Sequence, residues 1–212
     1  MNAVKWGILS TARINRPRLV PARDCHELDL LGGMGRRNDG TDAYASEWEI
    51  PRAYGSYEAL LADDELEAVY ISLPNNLHTE WSIRCLEAGK HVLCEKPFSK
   101  RAADVEAAFD AAERAGRTLS EAFMYRHNPQ AERLRQLLDE GAVGELRVVR
   151  TCFSFALFDP ENIRLRTDVE GGSLMDVGCY CVNGSRLIAG EPQLVFGQQL
   201  IGPSGTDWVF MG

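Results

Sequence analysis

Short apolar runs alternate with amphipathic stretches from Val4 to Phe123. Val4 to Leu9 is an apolar run containing Trp6. Small polar residues follow, then a helix-compatible stretch from about Arg13, so the spacing predicts a strand, a turn and a helix. Leu28 to Met34 predicts a second strand, Tyr44 to Trp48 a short helix that stops before Pro51, and Glu58 to Ala62 another helix. Ala68 to Leu73 is a third apolar strand, ending at Pro74-Asn75-Asn76. A helix from about His78 to Ala88 carries Leu77, Trp81 and Cys85 at four-residue spacing and stops at Gly89. His91 to Cys94 predicts a strand. Lys100 to Ala115 predicts a helix with Ser99 as its N-cap, Val105, Phe109 and Ala112 on one face, and Gly116 as its stop. Thr118 to Phe123 predicts the next strand. This alternation argues for an α/β fold, a doubly wound parallel sheet whose ligand site lies at the carboxyl ends of the strands.

After Tyr125 the pattern changes. Asn128-Pro129 is an N-cap and N1 pair for a helix with Leu134, Leu137 and Leu138 that ends at Gly141. Leu146 to Phe158 reads as a long, partly alternating strand. A polar loop from Asp159 to Glu170 leads to Gly171-Gly172, a helix from about Ser173 to Ala189, and a strand around Leu194 to Leu200. The expected organisation is a dinucleotide-type domain over 1–123 and the start of an α+β domain with an open sheet over 124–212. Two strands make a marginal sheet, and the apolar run Trp208 to Met211 closes the sequence. These features predict a C-terminally shortened second domain with exposed apolar surface.

Composition excludes several classes. The 212 residues are 45% hydrophobic and 25% charged, enough to bury a core. Lys and Arg number 23 against 31 Asp and Glu, a net charge of -8 with the signs mixed, which argues against a nucleic-acid footprint. No run reaches the length of a membrane span, and the opening MNAVKWGILS lacks a basic n-region followed by a long apolar stretch. The expected protein is soluble and cytoplasmic. Cys25, Cys85, Cys94, Cys152, Cys179 and Cys181 form no CxxC pair and read as reduced core thiols, and no metal site is expected.

Candidate chemistry falls mostly just after strands. Ser10, Ala12 and Asn15 occupy the three glycine places of a dinucleotide turn. The stretch Ser10-Thr11-Ala12-Arg13-Ile14 could still bring a pyrophosphate close to a helix N-terminus. An ordinary βα turn fits the same residues. Arg36 and Arg37 follow the second strand where a carboxylate would otherwise take the ribose hydroxyl, and two cations there suit the 2′-phosphate of NADP, with NAD as the second choice. A solvated loop fits them too. Glu95-Lys96-Pro97 places an ammonium directly after a buried strand; a cation at an ordinary turn fits the triplet as well. In GGSLMDVGCY, Asp176 and Tyr180 stand four apart on one helix face, able to hold or deprotonate a hydroxyl; a solvent-facing Asp and a half-buried Tyr fit them too.

Taken together, WGILSTARIN, SLPNNLH, EKP, EAFMYRHNP and GGSLMDVGCY, in this order, resemble the glucose-fructose oxidoreductase/inositol dehydrogenase/MocA (Gfo/Idh/MocA) family along essentially the whole chain. The resemblance implies a Rossmann domain and an α/β domain, NAD or NADP, and hydride transfer at a carbinol carbon of a sugar, polyol or diol. It implies that Leu73, Pro74, Asn75 and His78 line the nicotinamide side and that Glu95 and Lys96 sit beside cofactor and substrate. It also implies that Asp176 holds a substrate hydroxyl and that Tyr180 stands at the proton-transfer position. Tyr at 180, where many members have His, resembles the glucose-fructose oxidoreductase and dimeric dihydrodiol dehydrogenase branches. Tyr125, Arg126, Arg164 and Arg166 are assigned to the substrate pocket. Pairing of copies through the second sheet follows from the same resemblance. The competing readings are a non-catalytic dinucleotide-binding regulator and an inactive shortened member.

Overall fold

The structure, a computed structural model, describes residues 3–35 and 38–212 and divides into two compact units, Met1–Ala122 and Phe123–Gly212. The first unit holds β1 (Val4–Leu9), α1 (Arg16–Arg23), β2 (Leu28–Met34), α2 (Asn38–Glu47), β3 (Arg52–Ala53) and α3 (Tyr57–Leu61). It continues through β4 (Ala68–Ile71), α4 (His78–Glu87), β5 (His91–Cys94), α5 (Ala102–Ala115) and β6 (Leu119–Glu121). All six strands are parallel, in the order β3-β2-β1-β4-β5-β6, so the strand order reverses between β1 and β4. Register aligns Leu9 with Met34 and Ile71, Ile71 with Cys94, and Cys94 with Glu121. Ser10, Gly35, Ser72, Glu95 and Ala122 therefore share one carboxyl edge.

Alternating strand side chains bury both faces of this sheet. Leu9, Val69, Ile71 and Val92 pack with Leu60, Trp81, Leu86 and Ala108 from α3, α4 and α5. On the other face, Ile8 and Tyr70 pack with Leu19 of α1 and with Tyr44 and Trp48. Two expectations for α5 are corrected. Its buried stripe is Ala108, Ala111 and Ala112, small enough for α5 to lie closely on α4, while Phe109 is 47% exposed. Ser99 does not cap it: the cap position is Arg101, and the Ser99 hydroxyl donates instead to Asp104 at 3.0 Å. Only Cys85 and Cys94 of the six thiols are buried; Cys25 and Cys152 are exposed.

Beneath the opposite edge, Asp63 accepts from Tyr54 and, at 2.6 Å, from Arg52, tying β3 to the α3–β4 loop. The Tyr54 hydrogen bond, with help from Arg52, lowers the Asp63 carboxyl to about 2. A depressed acid contributes stability that is complete above its unfolded value and is lost as pH falls through its folded one. Stability should therefore drop between about pH 4 and pH 2, and Asp63→Asn should flatten that part of a denaturation-midpoint profile against pH. An unchanged acid limb in the variant contradicts this account.

In the second unit, Asn128 caps α6 (Pro129–Asp139), accepting from the Gln130 amide at 2.9 Å. A π-helical turn, Leu174–Gly178, runs into α7 (Cys179–Ala189), and β7 (Gln198–Ile201) pairs antiparallel with β8 (Asp207–Met211). The strand expected over 146–158 does not form. An alternating pattern becomes a strand only against a partner ladder, and the described partners β7 and β8 pair with each other. The segment stays exposed, Phe158 at 91%.

Candidate functional site

The β1 turn lies at the point where strand order reverses, the usual ligand crevice of such sheets. Ser10 adopts φ +118°, a conformation that favours glycine. Hydrogen bonds hold it there: its amide donates to Met34 O at 2.7 Å, its Oγ accepts from the Ala12 amide at 2.9 Å, and Asn15 Nδ2 donates to its carbonyl at 2.8 Å. Asn15 is fully buried, so a glycine-type turn is built by side-chain bonds. Thr11, Arg13 and Ile14 are exposed along the rim, and α1 begins immediately after, its N-terminus favouring an anion. A methyl group on Gly35 would meet Thr11 Cγ2 at 2.8 Å and Thr41 Oγ1 at 3.0 Å, so the end of β2 closes tightly on the turn. These features fit a dinucleotide pyrophosphate. Arg36 and Arg37 lie outside the described residues.

Two loops further along the edge are tied together by His78. Its Nδ1 lies 2.8 Å from Pro97 O and its Nε2 2.8 Å from Leu73 O, and the ring is 1% exposed. Burial pulls the imidazole below its ordinary value, against the pull of both carbonyls. Both ring nitrogens of His78 thus face backbone carbonyls of the two loops. Leu73 is also buried, leaving Pro74 and Asn75 half-buried at the loop surface.

Glu95 is buried as well. Its carboxylate accepts from Tyr70 Oη at 2.7 Å and from the Lys96 amide at 3.3 Å, and stands 3.8 Å from the Arg18 guanidinium. Burial, then the Glu95 charge, drives the Tyr70 phenol well above its usual value. Glu95 thus orients the loop from inside, while the Lys96 side chain is half-buried. Glu121, at the end of β6, accepts from the Phe98 amide at 2.8 Å. Consecutive residues Lys96, Pro97 and Phe98 are therefore pinned through their backbone by Glu95, His78 and Glu121.

In the second unit the GGSLMDVGCY helix opens on a close packing. A methyl group on Gly171 would overlap the Arg164 carbonyl, and Gly172, at φ +126°, donates its amide to that carbonyl at 2.8 Å. Asp207, at the start of β8, caps the helix: one oxygen accepts from Ser173 Oγ and from the Leu174 amide, both at 2.7 Å. The π-helical turn contains Asp176, so the spacing to Tyr180 crosses from π to α geometry, a distortion common at functional sites. Asp176 accepts from Arg164 Nε at 2.7 Å, which brings together two of the predicted residues. Tyr180 stands among Phe123, Tyr125 and Phe153, with ring centroids 5.4 to 6.1 Å away. Tyr125 donates its hydroxyl to Asn183; Arg126 is exposed, and Arg166 pairs with Asp168. Among the described residues, no group of three or more His, Cys, Asp or Glu could hold a metal ion.

The profile of the oxidoreductase family with an NAD-binding Rossmann fold, Gfo/Idh/MocA, matches residues 4–123, and that of its C-terminal domain matches residues 131–207. The chain belongs to the Gfo/Idh/MocA family. Among relatives within it, the D-xylose 1-dehydrogenase (NADP(+)) 2 of Haloferax volcanii is 47% identical over 192 residues, covering 90% of this chain and 59% of that protein. The trans-1,2-dihydrobenzene-1,2-diol dehydrogenase of Xenopus laevis is 32% identical over 209 residues, covering 97% and 63%. A 3-ketoreductase from Actinomadura kijaniata, in complex with NADP and TDP-benzene, superposes with a TM-score of 0.82 at 34% identity, covering 89% of this chain and 58% of that one. The chain thus spans less than two thirds of the length of these relatives.

Proposed function

We propose that this chain is an NADP-dependent oxidoreductase acting on a CH–OH group or the corresponding ketone of a sugar, polyol or diol. The observation that carries the reading is the match of the dinucleotide-binding profile to a sheet whose β1 turn and Lys96 loop share one carboxyl edge. The named activities of the relatives, two dehydrogenases and a ketoreductase, support it. Ser10 to Ile14 would hold the pyrophosphate and Arg36 and Arg37 the 2′-phosphate, with Pro74, Asn75 and Lys96 toward the nicotinamide. When bound, NADP supplies or accepts the hydride.

The chain's own part is to bind, orient and move the proton. Oxidation of a carbinol requires its hydroxyl proton to leave, so a base must reach that oxygen. Tyr180 is assigned this proton, Lys96 is assigned to orient the reacting oxygen, and Asp176, steadied by Arg164, is assigned a neighbouring hydroxyl. Self-association through the exposed apolar residues of β7 and β8 belongs to the same proposal, as does a cytoplasmic setting, supported by six free thiols.

Titration of both oxidised cofactors at one salt concentration tests the cofactor. Charge-assisted contacts to the 2′-phosphate should make NADP bind about tenfold to a hundredfold tighter than NAD. Equal or tighter NAD binding removes the assignment of Arg36 and Arg37.

A further inference from the structure

The Lys96 loop is held by three ionisable side chains, and one of them has no part in the reading given so far. Glu121 ends β6 in register with Cys94, the residue before Glu95-Lys96, and its side chain is half-buried. Its Oε1 accepts the Phe98 amide at 2.8 Å. That bond alone asks only for an acceptor, which a glutamine would supply without placing a charge in a protected site. A carboxylate at such a position calls for a nearby cation. Burial raises the Glu121 carboxyl, and the Phe98 amide hydrogen bond, then the Lys96 ammonium, oppose the rise. The other carboxylate on this edge, Glu95, is engaged by Tyr70 and Arg18. His78, whose ring nitrogens meet Leu73 O and Pro97 O, also borders the loop, and burial keeps the Cys94 thiol protonated.

We infer that Glu121 is a positioning residue for Lys96: one carboxylate anchors the Phe98 amide and faces the Lys96 ammonium, fixing both the loop and the cation it carries. The consequence for turnover rests on the assignment of Lys96 to the reaction centre. The pairing itself does not.

Two measurements separate these. The first is the rate of reductive methylation at Lys96 relative to Lys5 and Lys100, read by peptide mass spectrometry on the chain without added cofactor. Glu121→Gln keeps an acceptor for Phe98 and removes the charge, so Lys96 should label about threefold to tenfold faster against the two reference lysines. An unchanged ratio in the folded variant overturns the inference. Should that variant fail to fold, Lys96→Met reads the pair from the other side. The carbon-13 titration of the Glu121 carboxyl should then move up by about one pH unit, and an unmoved midpoint overturns the inference equally. The second measurement is steady-state turnover of Glu121→Gln, with an expected fall in kcat of about tenfold and a KM for NADP within about twofold. Absence of turnover in the unsubstituted chain would count against the oxidoreductase reading, while the labelling ratio would still decide the role of Glu121.

Discussion

Tyr180→Phe should lower turnover by about 10²–10⁴-fold while leaving NADP affinity nearly unchanged. The substitution removes one oxygen and keeps the ring that packs edge-on against Phe123 at 5.4 Å and beside Phe153 at 5.5 Å, so the cage and the helix should persist. What is lost is the group assigned to take the hydroxyl proton. The competing assignment makes Lys96 the base and Tyr180 a binding group. Under it, Tyr180→Phe would raise KM for the substrate with kcat close to normal, and Lys96→Met would abolish turnover. Steady-state kinetics of the two variants on one substrate therefore distinguish the assignments.

The largest stability effect is expected at His78. His78→Leu removes a ring whose neutral form donates to one of two buried carbonyls, Leu73 O and Pro97 O, and an unmet acceptor costs about 1–3 kcal/mol. The denaturant midpoint should fall by an amount corresponding to about 1–3 kcal/mol. His78→Gln, whose side-chain amide can still donate, should lie between. A His78→Leu chain as stable as the parent would show that the ring does not tie the two loops.

Most of the first unit was legible because its elements obey simple periods. The bounds of β1, β2 and β5 coincide with the apolar runs, and glycines end α4 and α5. β3 was invisible: two residues have no period, and their pairing depends on β2. The α5 face differs from its large-residue pattern because close helix packing selects alanines and leaves Phe109 half-exposed. In the second unit the 146–158 segment shows the limit of alternation, which specifies a strand only when a partner is present. The site followed the same division. Lys96, Asp176 and Tyr180 are visible as short polar motifs after strands or in a glycine-led helix. Glu121 and Asp207 act on backbone groups distant in sequence and carry no local signature, although Glu121 could have been sought at a strand's carboxyl end. His78 is visible in the SLPNNLH motif, but its contact with Pro97 O, 19 residues on, is not readable from that motif.

The most direct test of the central claim is a nicotinamide absorbance assay of the chain with NADP and with NAD over a panel of aldoses, polyols and diols, with the matching ketones run in reverse. The account predicts NADP-dependent turnover of at least one member, weaker with NAD and abolished or strongly reduced by Tyr180→Phe. Tight dinucleotide binding with no turnover of any panel member would contradict it and favour a binding role without chemistry.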